Sequence, residues 1–195
     1  MRITLCSLIV LAAVTGVAPA QQKEVVPHPV TITFYISGIT SDKCIEEINA
    51  SLKKVPSFAK IEGLTVKSGF ANVSFDSHVA SFHQIAQAIA YAGGNEAKPC
   101  ATTIKIRVPE YAQGDNAAKV DAIFQKLDTK VKIEATDKAK GEFVVSFLPL
   151  KADASKKGPQ GFNGGQLGHP IHDPAPKGLG LKFSIVKETI PPADK

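Results

Sequence analysis

The spacing of apolar residues changes along the first part of the chain. Between residues 31 and 36 they take every second position, and between residues 44 and 55 they recur every three or four positions. A period of two is typical of a strand with one buried face, whereas the longer period predicts an amphipathic helix. The buried side of the strand is predicted to carry Ile32, Phe34 and Ile36. These segments therefore predict a strand followed by a helix.

Further elements follow from the same reasoning. Residues 59–66 and 70–75 predict a hairpin, a second helix is expected after a cap at Asp76 or Ser77, and residues 95–99 predict a short last strand. The order β-α-β-β-α-β is that of the ferredoxin-like unit, an antiparallel sheet with both helices on one face. The other face is predicted to be open and mostly polar, with Thr31, Thr33, Tyr35, Asn72 and Ser74.

The same pattern occurs twice in the chain. Residues 31–75 align without a gap with residues 103–147, at a constant offset of 72, and the triplets KIE and VSF stand at equivalent positions in both. Conserved spacing of this kind predicts two copies of one structural unit. The copies differ in the loop after their first strand, which reads GITSDKC at 38–44 and EYAQGDN at 110–116. Any chemistry of the first loop is therefore missing from the second.

After residue 148 the second copy departs from the first. Residues 149–178 are rich in glycine, proline and lysine. A proline inside a helix costs about 3 kcal/mol and each glycine about 1 kcal/mol, so we expect no helix longer than about two turns there. The predicted fold class is α+β, with two tandem ferredoxin-like domains at 21–99 and 100–195. In the second domain a long loop at 149–178 is predicted to replace the last helix.

A targeting signal is predicted at residues 1–20. Arg2 supplies a positive charge, residues 8–14 are apolar, and Ala18-Pro19-Ala20 fits an A-x-A cleavage site. We therefore expect an exported protein, either periplasmic or secreted. No later stretch approaches the roughly 20 apolar residues of a membrane span. The net charge of +5 comes from lysines interleaved with acidic residues, so neither a membrane span nor nucleic-acid binding is expected.

The loop after the first strand resembles that of a known family. GITSDKC (38–44) is similar to G-M-T-C-x-x-C, the loop of heavy-metal-associated domains. Three later segments also resemble that family, namely LKKVPSFAKI (52–61), GFANVSFD (69–76) and AIAYAGGNEAK (88–98). In this comparison Ser41 stands at the position of the first cysteine and Cys44 at that of the second. The resemblance covers residues 30–99 and implies a ferredoxin-like domain.

The resemblance also implies metal binding. Two thiolates at a helix N-terminus hold a soft ion such as copper(I), and Cys44 is the candidate ligand here. Ser41 marks the lost ligand, because a serine hydroxyl stays protonated near neutral pH and is a hard donor. A metal-transport protein or another exported protein is the expected partner. The alternative function is a non-catalytic protein-interaction scaffold that has lost metal binding.

Cys100 and the histidines are weaker candidates for a functional site. Cys100 follows the predicted strand 95–99, so we expect it at the far end of the sheet from Cys44, too distant for a disulfide. His78 and His83 are predicted to be solvated at the start of the second helix. His169, His172 and Asp173 are ligand-type residues on the long loop, although the sequence offers no third or fourth ligand that would complete a site with them.

Two other functions are less well supported by the residues. RNA-recognition motifs share the topology, and Tyr35 and Phe70 stand where their aromatic residues stack on bases. However, Asn72 replaces a further expected aromatic residue, and export would separate the chain from cellular RNA. No nucleophile, base and orienting group form a recognisable motif, so an enzyme is not expected.

Overall fold

A computed structural model describes residues 29–92 and 100–190, apart from 152, 154 and 157. The predicted leader at 1–20 and the predicted strand at 95–99 lie outside the described residues. The elements are, in chain order, β1 (Pro29–Ser37), α1 (Asp42–Leu52), β2 (Phe58–Glu62), β3 (Phe70–Asp76), α2 (Phe82–Ala90), β4 (Ala101–Arg107), α3 (Asn116–Gln125), β5 (Val131–Asp137), β6 (Glu142–Phe147), α4 (Gly165–His172) and β7 (Ser184–Ile185).

The two copies have the same strand register. Ile32 of β1 lies opposite Val73 of β3, and Ile104 of β4 lies opposite Val145 of β6. The hairpins agree as well, because Ile61 pairs with Val73 in the first copy and Ile133 pairs with Val145 in the second. Each residue is thus 72 positions from its counterpart. The predicted β-α-β-β repeat is confirmed at the level of individual pairs.

The strands of both copies form one continuous sheet. Among the described residues it has seven strands, in the order β2-β3-β1-β4-β6-β5, with β7 also paired to β4. The central strand β4 pairs antiparallel with β1 through 101–103 and with β6 through 103–107. It therefore occupies the place of the fourth strand of the first ferredoxin-like unit and is also the first strand of the second unit.

The second unit contains a short helix and a short strand after β6. Helix α4 has eight residues, about two turns, within an otherwise irregular segment. It contacts α3, as α2 contacts α1, and β7 pairs with β4 at Ile106 and Arg107. Within the long loop predicted at 149–178, α4 thus takes the position that α2 has in the first copy, but it is shorter. The expected limit of about two turns is confirmed, although Pro170 lies inside the helix and not at its end.

The core lies between the sheet and the helices. The predicted inward residues of β1, namely Ile32, Phe34 and Ile36, are buried, as are the corresponding residues of β4, namely Ile104 and Ile106. The second helix begins later than predicted. Its N-cap is Ser81, which forms a capping box with Gln84, whereas Asp76 accepts backbone hydrogen bonds in the turn before it. A side chain that can reach the N–H of the third helical residue thus decides where α2 starts.

Helix α2 of the first copy binds the long segment of the second. His83 is buried, and its Nε2 donates a hydrogen bond to the Leu148 carbonyl at 2.6 Å while its Nδ1 accepts one from the Phe162 N–H at 3.2 Å. Gln84 accepts a bond from the Gln160 N–H, and Gln87 accepts one from the Leu150 N–H. The prediction of a solvated His83 is wrong, because the helix face carrying it lies under this segment.

The polar face of the sheet is partly covered. Glu188 donates its backbone N–H to Thr33 Oγ1 at 2.9 Å and accepts from Asn72 Nδ2 at 2.9 Å through its carbonyl. Tyr35 donates its hydroxyl to the Glu188 carboxylate, and Lys105 Nζ lies 3.9 Å from the centre of the Tyr35 ring. Thr33 and Asn72 are therefore buried. The prediction of an open face is wrong here, and Tyr35 is not free to stack on a base.

Candidate metal centre

The loop GITSDKC (38–44) connects β1 to α1. Gly38 has a φ of +95°, a left-handed conformation that favours glycine, and lets the chain turn directly after the strand. Helix α1 then begins at Asp42, so Cys44 lies in its first turn. The local sequence thus places one thiol at the end of the helix where the N–H groups and the positive end of the dipole are found.

Two hydroxyl groups contact the Cys44 sulfur. Ser41 Oγ lies 3.4 Å from Cys44 Sγ, and Thr40 Oγ1 lies 3.6 Å from it. The hydrogen bond with the Ser41 side chain, followed by the backbone and side chain of Thr40, lowers the pKa of the Cys44 thiol to about 7. Cys44 is only partly buried. The residue is therefore accessible, and about half of its thiol is ionised at pH 7.

Ser41 has an extended backbone conformation and occupies the N-cap position of α1. Its side chain, however, makes no capping hydrogen bond. Its hydroxyl lies beside the sulfur of Cys44 instead. Ser41 thus stabilises the Cys44 thiolate as a hydrogen-bond donor. A neutral hydroxyl of this kind supplies no soft ligand for a metal ion.

Cys100 lies next to this loop rather than at the far end of the sheet. Ala101 pairs with Ser37, and a Cβ atom added to Gly38 would come within 3.7 Å of the Cys100 Cα. The prediction of a distant Cys100 is wrong because β4 itself is the strand beside β1. It runs antiparallel to β1, so its start, not its end, is next to the loop. Both cysteines are free thiols in this structure.

The electrostatics of Cys100 agree with this placement. Burial raises the pKa of its thiol, and the charges of Cys44 and Glu47 raise it further. Its backbone N–H donates to the Ala90 carbonyl at 3.0 Å, which ties it to the end of α2. Cys100 also lines a cavity of about 300 Å³ between α2 and the sheet. The two thiols therefore differ: Cys44 is accessible and acidic, and Cys100 is partly buried and less acidic.

The histidines of the second copy lie around a separate cleft. His169 and His172 are at the end of α4, and with His78 they line a mainly apolar space of about 670 Å³. His169 Nδ1 is 3.4 Å from an Asp173 carboxylate oxygen, and His172 contacts the Leu181 carbonyl. Within the described part of the chain, no three His, Cys, Asp or Glu side chains are grouped as a metal site requires.

The equivalent loop of the second copy has a structural role. Tyr111 is buried and donates its hydroxyl to Asp121 of α3. Asn116, the counterpart of Cys44, donates its side-chain amide to the Glu110 carbonyl at 2.9 Å. These contacts fasten the loop to the start of α3. No thiol is present there, as the sequence comparison predicted.

Sequence reasoning identified Cys44 and Ser41 but did not connect Cys100 with them. The repeat did contain a signal for the position of Cys100. Ala101–Arg107 alternates between inward and outward residues, as a strand does, and a strand at this place in the chain can pair with β1 and bring Cys100 beside the loop. An assignment of 95–99 as the fourth strand hid that possibility. The pairing of β4 with β1 is a tertiary contact between residues about 65 positions apart.

No family model matches the sequence, and no curated protein sequence matches it. Three solved structures are similar in part. The N-terminal soluble domains of Bacillus subtilis CopA align with a TM-score of 0.37 and 16% identity over 83% of this chain and 96% of that chain. The water-soluble region of the P-type ATPase CopA from Bacillus subtilis aligns with a TM-score of 0.37 and 18% identity over 82% of this chain and 93% of that chain.

A protein from Bacillus anthracis str. Ames, described as copper-ion-binding, aligns with a TM-score of 0.32 and 20% identity over 35% of this chain and 94% of that chain. At these identities and scores the similarities carry no argument about function. The ferredoxin-like fold rests on the element order and strand pairing described above. In the described residues there is no helix of the length and apolarity that a membrane crossing requires.

Proposed function

We propose that this chain is an exported protein that binds a soft metal ion, such as copper(I), through Cys44. One observation carries the proposal: the Cys44 sulfur is accessible in the first turn of α1 and contacts the hydroxyls of Ser41 and Thr40. Soft monovalent ions prefer thiolate sulfur to oxygen or nitrogen donors. The pKa of about 7 supplies this thiolate near neutral pH without the metal.

The site described here is suited to transfer more than to permanent storage. Because the Cys44 sulfur is accessible, a thiol of a partner protein can approach an ion that is bound to it. The proposed partner is therefore a metal-transport protein or another exported protein that presents its own thiolate. No catalytic role is proposed.

The proposal is tested by metal binding to protein that lacks residues 1–20, purified without oxygen and supplied with copper(I). Wild type is expected to bind copper, and Cys44→Ser is expected to lose most of that binding. Ser41→Cys restores a pair of thiolates two residues apart and is expected to bind more tightly than wild type. The measurement is competition with a coloured copper(I) chelator. Equal binding by wild type and Cys44→Ser would contradict the proposal.

A protein-interaction scaffold is the second candidate function. It is favoured by the contact between the copies, in which α2 binds Leu148 and Leu150 and Glu188 covers part of the polar sheet face. These contacts add to the shared sheet that joins the two repeats. The scaffold becomes the better interpretation if Ser41→Cys also fails to bind a soft metal, because the loop geometry would then be unsuitable for any metal.

A further inference from the structure

Cys100 lies on the side of the sheet where Cys44 is found. It directly precedes β4, in which Thr102, Ile104 and Ile106 are buried against the helices. Side chains alternate along a strand, so residue 100 shares the helix-bearing face with these residues. Helix α1, which begins beside Cys44, packs on that same face with α2. Both thiols therefore belong to one corner of the molecule, at the start of α1.

The backbone brings the two segments into direct contact. Ser37 at the end of β1 is paired with Ala101 at the start of β4. Gly38 follows Ser37 and Cys100 precedes Ala101, so these two residues are neighbours at the same end of the antiparallel pair. The gap of 3.7 Å between the Cys100 Cα and an ideal Cβ on Gly38 is an ordinary van der Waals distance. No other sulfur atom occurs between residues 29 and 190.

The loop around Cys44 lacks one soft donor. Thr40 and Ser41 offer only hydroxyl oxygens, which are hard ligands for a soft ion. Cys100 offers the missing donor type from a different strand. A cation between the two sulfurs would offset the repulsion between two thiolates in this partly buried place, because each thiolate is attracted to the positive charge of the ion. The ion would also keep both coordinated thiols deprotonated.

We propose that Cys100 is the second thiolate ligand of the Cys44 site, so that one soft metal ion is held between the two sulfurs of a single chain. This inference rests on the proposed function of Cys44. Each thiol loses its proton when it binds, so one copper(I) ion and two thiols form a complex of net charge −1 and release two protons. The second ligand thus comes from the strand shared by the two repeats, not from the loop motif.

The test compares wild type with Cys100→Ser and Cys100→Ala, reduced and loaded with mercury(II) or copper(I) without oxygen. X-ray absorption should find two sulfur ligands per ion in wild type and one in either variant. Loss of an outer-shell partner alone weakens metal binding about 10- to 100-fold, so loss of a direct ligand should weaken it about 100-fold or more. Circular dichroism checks that both variants are folded.

The chain offers a matched control. Asn116→Cys combined with Cys44→Ser moves the thiol to the equivalent helix start of the second copy, which follows the far end of β4. At about 3.3 Å per strand residue this position is about 20 Å from Cys100, so the control is expected to show one sulfur ligand and weak binding. Tight binding by the control would mean that Cys100 is not required and would overturn the inference.

The outcomes separate this inference from the proposed function. If wild type binds tightly and both Cys100 variants bind equally well, Cys100 is not a ligand, while Cys44 remains one. If two sulfurs are found together with a metal-dependent dimer in light scattering, the second sulfur is Cys44 of another chain, which also overturns the inference. If wild type binds no soft metal, the proposed function itself fails. One ion, two sulfurs and a monomer support the inference.

Discussion

At the scale of single residues, hydroxyl groups determine the chemistry of Cys44. The sequence places Ser41 three residues before it, and the first turn of α1 brings the two side chains together. A hydrogen bond to the charged form of an acid lowers its pKa. The largest cause of the lowered pKa of Cys44 is the Ser41 side chain, and the Thr40 side chain contributes less.

Ser41→Ala is expected to raise the pKa of Cys44 from about 7 towards its ordinary value, because the thiolate loses its strongest hydrogen-bond donor. The pH dependence of alkylation by iodoacetamide, followed by mass spectrometry, measures this shift. Thr40→Ala should produce a smaller shift, and Cys100 in the same chain is an internal reference. An unchanged midpoint in Ser41→Ala would mean that the hydroxyl does not bond to the sulfur.

His83 is the second residue whose protonation matters. Its Nδ1 accepts a hydrogen bond from Phe162, which a protonated ring cannot do. Burial lowers the pKa of His83 below its ordinary value of 6.5. A group whose folded pKa is depressed binds more protons when unfolded at intermediate pH. The stability that neutral His83 contributes is therefore complete above pH 6.5 and is lost as the pH falls through the folded value.

His83→Gln should remove this part of the pH dependence, while His83→Ala should cost about 3 kcal/mol, because the Phe162 N–H and Leu148 carbonyl lose their partner. Urea unfolding between about pH 7.5 and 5.5 measures both effects. The difference in unfolding free energy between wild type and His83→Gln is expected to shrink as the pH falls.

At the scale of elements, packing keeps α4 helical although its sequence is a poor helix former. Phe162, Leu167 and Ile171 are fully buried, and the Phe162 ring lies edge-on to the rings of Phe82 and Phe147. Burying side chains of this size is worth about 1.5 to 3 kcal/mol each. That gain offsets the cost of Pro170 and of the glycines in the helix.

Replacing Gly168 or Gly178 by alanine is expected to change the stability of the protein in opposite directions. A Cβ atom on Gly178 would lie 2.5 to 2.9 Å from the carbonyl oxygens of Asp173, His169 and Pro170, so Gly178→Ala should destabilise the protein by more than about 2 kcal/mol. Gly168 in α4 has no neighbour closer than 3.7 Å, so Gly168→Ala should add up to about 1 kcal/mol of stability. Chemical unfolding of both variants is the measurement, and effects of the same sign would contradict the packing described here.

At the scale of the whole molecule, β4 joins the two repeats. It contributes Ile104 and Ile106 to the core and pairs with β1, β6 and β7. Small ferredoxin-like domains bury only a modest core, so neither copy can lose a shared central strand without a large loss of apolar burial. The division of the chain at 99 and 100 remains a prediction, and the shared strand provides its test.

A fragment of residues 21–99 is expected to unfold at lower temperature than a fragment of residues 21–108, because only the longer one contains β4 to cover the edge of β1 and supply its buried side chains. Circular dichroism during heating measures the difference. A control fragment of residues 21–108 with Ile104→Ser should behave like the shorter fragment. Equal melting of 21–99 and 21–108 would show that the first copy folds without the shared strand.

The sequence by itself determined the features that depend on local spacing. Side-chain period assigns the inward faces of β1 and β4, and the constant offset of 72 assigns the same pairing register to both hairpins. It also placed Cys44 and Ser41 in one turn, since residues three apart are neighbours at the start of a helix. Each of these features depends on residues a few positions apart or on the constant spacing between the two copies, so it can be predicted from the sequence without the tertiary structure.

Only the tertiary structure decided where Cys100, His83 and Glu188 lie. Each depends on contacts between residues 60 or more positions apart: β4 beside β1, Leu148 and Phe162 on α2, and Glu188 on the polar sheet face. Leu148, Phe162 and Glu188 belong to no helix or strand, so no periodic pattern in the sequence indicates their positions. Their positions are set by which sheet edge and which helix face were left uncovered, and that choice is made by the whole fold.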